Sequence, residues 1–272
     1  GKMTIVEAIT KVLKESAVGM TALDIYNKII EENLYTFGAK KPAVVVNGEI
    51  RRRCYGLDFP TAYPNKLFEI SGYNGRTPLF TLYNDTAIEK TLPKTIHSEA
   101  GNDKLPEEKM SEAYNEHISG IRQQIFDIIL KNSASFFEHL VMDLLLNMGY
   151  GYDKNAGKVT GRSHDGGIDG IINEDKLGLD TIYIQAKRYG NKSVGRKEVQ
   201  AFVGTMENVH KGVFITTSKF SKEAVDFVKR QQKSIKLIDG VMLSDLLVKY
   251  KVGISEVRSL PIYKIDMDYY GE

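Results

Sequence analysis

An acid, an amide and an ammonium fall on two neighbouring apolar stretches of this chain: Gly166-Gly167-Ile168-Asp169-Gly170-Ile171-Ile172 and, after a short loop, Thr181-Ile182-Tyr183-Ile184-Gln185-Ala186-Lys187-Arg188. Ile182, Ile184 and Ala186 alternate with Tyr183, Gln185 and Lys187, a two-residue period that predicts a strand with Gln185 and Lys187 on one side. Burying that side among apolar groups would strand an ammonium. Lys187 therefore calls for an anion, a metal-bound water or solvent, and Asp169 is the nearest carboxylate able to hold such a metal. The combination suits metal-assisted hydrolysis of a phosphodiester. Taken alone, Asp169-Gly170 also reads as a common turn dipeptide, and Lys187 as a phosphate anchor without a catalytic part.

The charge around this pair is uneven. The whole chain carries a formal charge of +2, yet residues 116–260 hold 21 Lys and Arg against 17 Asp and Glu. Lys187, Arg188, Lys192, Arg196 and Lys197 fall within eleven residues that contain no acid. A polyanion is the natural partner of such a run, and a solvated loop is the plainer reading.

These residues need a scaffold, and 272 residues at 42% hydrophobic content can supply two cores. No apolar run reaches the length of a membrane span, and no charged-then-apolar leader opens the chain, so a soluble cytoplasmic protein without a membrane partner is expected. The single cysteine, Cys54, excludes an internal disulfide and a cysteine zinc cage. Gly157-Lys158-Val159-Thr160 looks like the end of a P-loop, but Tyr152 stands where the first glycine belongs and Val159 follows the lysine. No nucleotide cofactor is expected.

Along the chain, Ile5, Ala8, Ile9, Val12 and Leu13 mark one helical face, and Thr21 with Asp24 opens a second helix. Pro42 suits the first turn of a third, running through Val44, Val45, Val46 and Ile50 into Arg51-Arg52-Arg53. Two apolar stretches then flank Asn74-Gly75, a hairpin signal. Three helices plus a hairpin predict a winged helix-turn-helix over residues 1–85. This part resembles the HARE-HTH family. The resemblance implies DNA recognition, with Lys40, Lys41, Arg51, Arg52 and Arg53 as phosphate or base contacts; a protein-docking module with a basic helix end is the alternative. Residues 86–115 read as a linker, 116–260 as a second domain, and 261–272 as a tail.

In that second domain Phe136-Phe137-Glu138, Met148-Gly149-Tyr150, Gly166-Gly167-Ile168-Asp169-Gly170, Gln185-Ala186-Lys187, Phe202-Val203-Gly204 and Gly212-Val213-Phe214-Ile215-Thr216-Thr217-Ser218 follow one another in order. Helices over 197–208, 221–230 and 240–250 alternate with strands over 211–216 and 235–238, which predicts a mixed sheet covered on both faces. The series resembles the Mrr family of restriction endonucleases, within the PD-(D/E)xK nuclease superfamily. That resemblance implies an α/β fold with an α-β-β-β-α-β core and a Mg²⁺- or Mn²⁺-dependent endonuclease acting on double-stranded DNA, including methylated or hydroxymethylated DNA. Asp169, Gln185 and Lys187 are then the catalytic set, and Asp169, Gln185 and the Ala186 backbone carbonyl the metal ligands. Glu138 and Gln200 are implied as further site residues, and Arg188, Lys192, Arg196 and Lys197 as DNA contacts. Two copies acting as a homodimer are expected for double-strand cleavage.

Several readings stay open at this level. Ser135 to Glu138 also spells a capping box, which would reduce Glu138 to a helix-end group. Asp165 and His164 lie close to Asp169 and are loop candidates. Gln185 departs from the carboxylate usual in the superfamily, but the resemblance to Mrr-like enzymes implies Gln at this place. A structure-specific resolvase, which shares the fold, and a DNA-binding regulator with an inert nuclease domain, Gln185 being the lesion, are the rival functions.

Overall fold

A computed structural model describes residues 3–84, 103–160 and 167–271. The chain divides into two compact units, residues 1–115 with 260–272, and residues 116–259.

The first unit contains α1 (Ile5–Glu15), α2 (Ala22–Glu31) and α3 (Pro42–Arg51), then the antiparallel hairpin β1 (Phe68–Asn74) and β2 (Thr77–Leu82). Thr4 closes the start of α1 as a full capping box with Glu7, and Thr21 accepts the Asp24 N–H at the start of α2. Pro42 occupies the first turn of α3, where its missing N–H costs nothing. Ala8, Ile9, Val12, Ile25, Ile29, Val46 and Ile50 from the three helices meet Phe68 and Phe80 from the hairpin in one buried cluster. In the hairpin, Asn74 pairs with Thr77, so Gly75 and Arg76 are the two turn residues and Gly75 takes φ +63°. The turn thus sits one residue later than an Asn74-Gly75 turn, with glycine at the first central position where a positive φ is required. The residues expected as a linker lie outside the described ones as far as 102; from Pro106 the chain is helical, as α4 (Pro106–Lys131).

The second unit follows with α5 (Ala134–Asn147), β3 (Gly157–Val159), β4 (Gly170–Asn173), β5 (Thr181–Lys187), α6 (Arg196–Gly204), β6 (Lys211–Thr216), α7 (Lys222–Lys229), β7 (Ser234–Ile238) and α8 (Gly240–Lys249). A short helix, α9 (Met267–Tyr270), lies in the segment beyond. The five strands form one sheet in the order β3-β4-β5-β6-β7, antiparallel at β3-β4-β5 and parallel at β5-β6-β7. The expected mixed α-β-β-β-α-β arrangement is present as α5-β3-β4-β5-α6-β6.

The alternation within β5 feeds two cores. Ile182, Ile184 and Ala186 join Phe137, Val141, Leu144 and Leu145 of α5 and Leu243 and Leu247 of α8. On the other face Tyr183 packs against the cluster of Val199 and Phe202 from α6, Phe214 from β6 and Ala224 from α7. Gln185 and Lys187 share that second face with Tyr183 and continue past the packed region to the carboxyl end of the strand. Among the described residues, no helix is long and apolar enough to cross a membrane.

Candidate active site

Gly170 stands opposite Ile184 in the β4-β5 ladder, and one step outward the Asp169 N–H donates to the Ile184 carbonyl at 2.9 Å. Asp169 is thereby placed opposite Gln185, and directly opposed residues of an antiparallel pair project to the same face. Lys187, two residues further along β5, takes that face too. From the other side Thr160, just after β3, anchors the segment: its N–H donates to the Asp169 carbonyl at 2.9 Å and its hydroxyl donates to the Ile168 carbonyl.

Asp169 is 3% exposed, and its Oδ2 accepts two hydrogen bonds of 2.7 Å, from the Gln185 side-chain amide and from the Ala186 main-chain N–H. This settles the orientation of Gln185. Its NH₂ end must face the carboxylate, because a flipped amide would set oxygen against oxygen. Gln185 is 1% exposed, and its Oε1 is buried with no hydrogen-bond partner among the described residues. Leaving a buried acceptor unmet costs about 1–3 kcal/mol, so this oxygen is a standing demand for a donor or a cation.

Ala186 adds a third oxygen. In a strand the N–H and C=O of one residue leave on the same edge, so the Ala186 carbonyl lies on the Asp169 side. A carboxylate, an amide oxygen and a main-chain carbonyl form a hard, all-oxygen donor set of the kind Mg²⁺ or Mn²⁺ prefers. Among the described residues no group of three or more His, Cys, Asp or Glu side chains could hold a metal.

Glu138 belongs to the same neighbourhood. The capping residue of α5 is Ser133, whose side chain accepts the Phe136 N–H, and Glu138 lies inside the helix, so the Ser135 capping box gives way. The Glu138 carboxyl is pushed above the usual carboxylate range by partial burial first and by Asp169 second, while His139 and Lys187 pull it back. Glu138 thus feels the charges of both Asp169 and Lys187. Gln200 stands exposed on α6 and joins none of the hydrogen bonds that tie Asp169, Gln185 and Ala186 together. Asp165 and His164 lie outside the described residues.

The basic residues fall into two groups. Lys192, Arg196 and Lys197 are exposed; Lys192 lies over the Tyr189 ring at 5.0 Å and Arg196 over Phe227 at 5.4 Å. Arg188 is half-buried and donates to the Leu130 carbonyl at 2.8 Å, which makes it in part a structural cation. A cavity of about 360 Å³ opens elsewhere in this unit, between Leu145, Met148, Val213 and Leu246, and Asp169, Gln185 and Lys187 are not on its wall.

In the first unit the arginines behave differently from their expected part. Arg51 is 4% exposed and makes a two-pronged bond to Glu108, Nε to Oε2 and Nη2 to Oε1, both at 2.6 Å. A guanidinium so enclosed cannot reach a phosphate, and Arg51 is corrected from a DNA contact to a structural ion pair. Arg52 binds Glu107 at 2.7 Å, and the same carboxylate accepts the Thr61 hydroxyl at 2.9 Å. Arg53 pairs with Glu49 and stacks on Tyr63 at 4.3 Å. Lys40 and Lys41, at the opposite end of α3, are exposed.

Comparison with known proteins bears on the second unit. Residues 129–247 match the model of a restriction endonuclease family, Mrr_cat. The chain is 40% identical over 167 residues to the type IV methyl-directed restriction enzyme EcoKMrr of Escherichia coli (strain K12), covering 61% of this chain and 54% of that protein. It thus spans about half the length of that relative. Among solved structures, the DNA modification-dependent restriction endonuclease AspBHI aligns with a TM-score of 0.41 at 23% identity over 49% of this chain and 36% of its own. MspJI restriction endonuclease in complex with a 27-mer oligonucleotide aligns with a TM-score of 0.38 at 24% identity, over 48% and 31%. Residues 129–247 are thus similar to the catalytic domain of Mrr-type restriction endonucleases.

Proposed function

We propose that this chain is a divalent-metal-dependent endonuclease that hydrolyses phosphodiester bonds of double-stranded DNA carrying modified bases. Mg²⁺ is the proposed ion, and methylated cytosine the proposed modification, in line with the methyl-directed relative. The observation that carries the reading is the Gln185 Oε1, buried without a partner among the described residues and held in place by an amide whose other end is bound to Asp169.

Asp169, Gln185 Oε1 and the Ala186 carbonyl are the groups that would hold the ion. When bound, it would neutralise phosphate charge and acidify a water molecule. The rest falls to the chain. Lys187 presents a cation on the Asp169 face, able to orient a water and to stabilise charge building on the phosphoryl oxygens. Glu138, its carboxyl held high by burial and by Asp169, is the second acid of the site and would serve as a proton acceptor. Lys192, Arg196 and Lys197 hold the DNA backbone.

In this reading the first unit recognises the target as a winged helix, with Lys40 and Lys41 as its DNA contacts. Each chain holds one Asp169-Lys187 set and a duplex has two strands, so two copies act together. The test is incubation of the full chain with Mg²⁺ and plasmids that contain or lack 5-methylcytosine. Cutting confined to the modified plasmid, and abolished by EDTA, is the expected result; binding of both plasmids with no cutting under Mg²⁺ or Mn²⁺ overturns it.

A further inference from the structure

We infer that Thr216, Thr217 and Ser218 form a hydroxyl clamp that positions Lys187 and the basic segment behind it, so that adjacent hydroxyls govern turnover and DNA grip separately. The inference rests on the nuclease reading above. The parallel ladder between β5 and β6 ends where Lys187 pairs with Thr216. Beyond it the chain leaves β5, and the carbonyls of the following residues lose the ladder that served those before them.

Three consecutive hydroxyls replace it. Thr216 Oγ1 donates to the Lys187 carbonyl at 2.8 Å, Thr217 Oγ1 to the Tyr189 carbonyl at 2.5 Å, and Ser218 Oγ to the Lys192 carbonyl at 2.7 Å. The Thr217 N–H adds a longer bond to the Lys187 carbonyl, 3.3 Å. Successive side chains of a straight strand point to opposite faces, so three in a row can serve one loop only because the chain bends after Thr216.

That bend is itself fixed. Thr216 is fully buried, and its Oγ1 accepts the Ser218 N–H at 3.2 Å. The Gly240 N–H donates to the Ser218 carbonyl at 2.9 Å, and a Cβ on Gly240 would stand 2.3 Å from the Thr217 carbonyl oxygen. Only glycine lets the start of α8 sit this close. At the far end of the loop, the Val194 N–H bonds the Lys219 carbonyl at 2.8 Å and the Ser221 N–H bonds the Val194 carbonyl at 2.9 Å.

The clamp has two outputs. Thr216 grips the main chain of Lys187, which shares the Gln185 face of β5. Thr217 and Ser218 grip Tyr189 and Lys192, which themselves form a cation-ring pair, while the Tyr189 hydroxyl bonds Glu198 on α6. The first output bears on chemistry and the second on the backbone of the DNA. Thr216, Thr217 and Ser218 are thus positioning residues.

The test uses the full chain and the variants Thr216→Val, Thr216→Ser, Thr217→Val, Ser218→Ala and Gly240→Ala, each first shown to keep its melting temperature within a few degrees. Cleavage of 5-methylcytosine plasmid with Mg²⁺ gives kcat and KM, and trypsin cleavage after Arg188 and Lys192 reports the loop. Thr216→Val is expected to lower kcat roughly tenfold with KM nearly unchanged, because small displacements of a reacting group are costly, and Thr216→Ser to restore it. Thr217→Val and Ser218→Ala are expected to raise KM and trypsin cleavage severalfold with kcat nearly unchanged, and Gly240→Ala to do both. Proportional changes in kcat and KM across the set, or a Thr216→Ser as impaired as Thr216→Val, overturn the clamp. If the unaltered protein cuts no DNA, the nuclease reading fails on its own. Trypsin cleavage then decides the clamp, and unchanged rates in Thr217→Val and Ser218→Ala overturn it.

Discussion

The Gln185 amide donates to Asp169 Oδ2 at 2.7 Å, and that bond fixes the whole polarity of the site. With its NH₂ end held by the carboxylate, the opposite oxygen has nowhere to turn. A glutamine here does what a glutamate cannot: it lets two acceptor-bearing side chains approach without a cation already between them.

Gln185→Glu follows directly. It removes the donor to Asp169 and sets two carboxylates side by side, so one of them resists ionisation. In EDTA at pH 8 the variant is expected to lose about 1–3 kcal/mol in urea unfolding, the cost of a broken buried bond to a charged group. Its Mn²⁺ affinity by calorimetry is expected to exceed that of the unaltered protein. Equal Mn²⁺ affinity in the two proteins would count against position 185 as a ligand.

Glu138 supplies a pH signature. Its folded-state pKa is raised, so between the unfolded and folded values the folded protein binds more protons. Stability therefore falls as pH rises through that window, and stays lower above it. Glu138→Gln is expected to be more stable than the unaltered protein at neutral pH, with the gain vanishing below about pH 4, the unperturbed carboxylate range. Urea unfolding across pH 3.5–8 measures it. A gain that does not depend on pH would contradict a Glu138 carboxyl raised by burial and by Asp169.

Much of this arrangement was legible in the sequence. The two-residue period of Ile182, Ile184 and Ala186 against Gln185 and Lys187 is a backbone property, and it survives intact in β5. Other features were not. β3 is three residues long, too short for a period to declare itself, and its Gly157-Lys158-Val159 reads first as a broken phosphate loop. Ser133 and Ser135 offer α5 the same hydroxyl, and the choice between them depends on where the helix packs. Arg51 gave no sign of burial, because its partner Glu108 is 57 residues away. Thr216-Thr217-Ser218 stood out as a motif without a role, since nothing local says which carbonyls the hydroxyls meet.

The buried pair offers a separate check. Glu108→Gln or Arg51→Met leaves the other member uncompensated, and each is expected to cost about 3–5 kcal/mol. The double variant Arg51→Met with Glu108→Leu is expected to regain most of that loss. Lys41→Ala, by contrast, is expected to leave stability unchanged and to weaken DNA binding. A surface role for Arg51 would show as the reverse: a mild stability effect with a clear loss of affinity.

The exposed cations can be sorted by salt dependence. Each phosphate contact contributes about 0.9 to the slope of log affinity against log salt concentration, so Lys192→Ala and Lys197→Ala are each expected to reduce the slope by about that amount. Arg188→Ala, which breaks the bond to the Leu130 carbonyl, is expected to lower stability with a smaller change in slope. Anisotropy titrations at several salt concentrations separate the two. Unchanged slopes for Lys192→Ala and Lys197→Ala would remove this segment from the DNA interface.

Cleavage of 5-methylcytosine plasmid in Mg²⁺ by Asp169→Asn and Lys187→Met, with duplex binding measured alongside, bears most directly on the site. Each variant is expected to bind duplex about as well as the unaltered protein and to cut at least about a hundredfold more slowly, since in the proposed reading each removes a group that acts on charge developing at the phosphate. Cutting by either variant at close to the unaltered rate would contradict a hydrolytic centre built on Asp169 and Lys187.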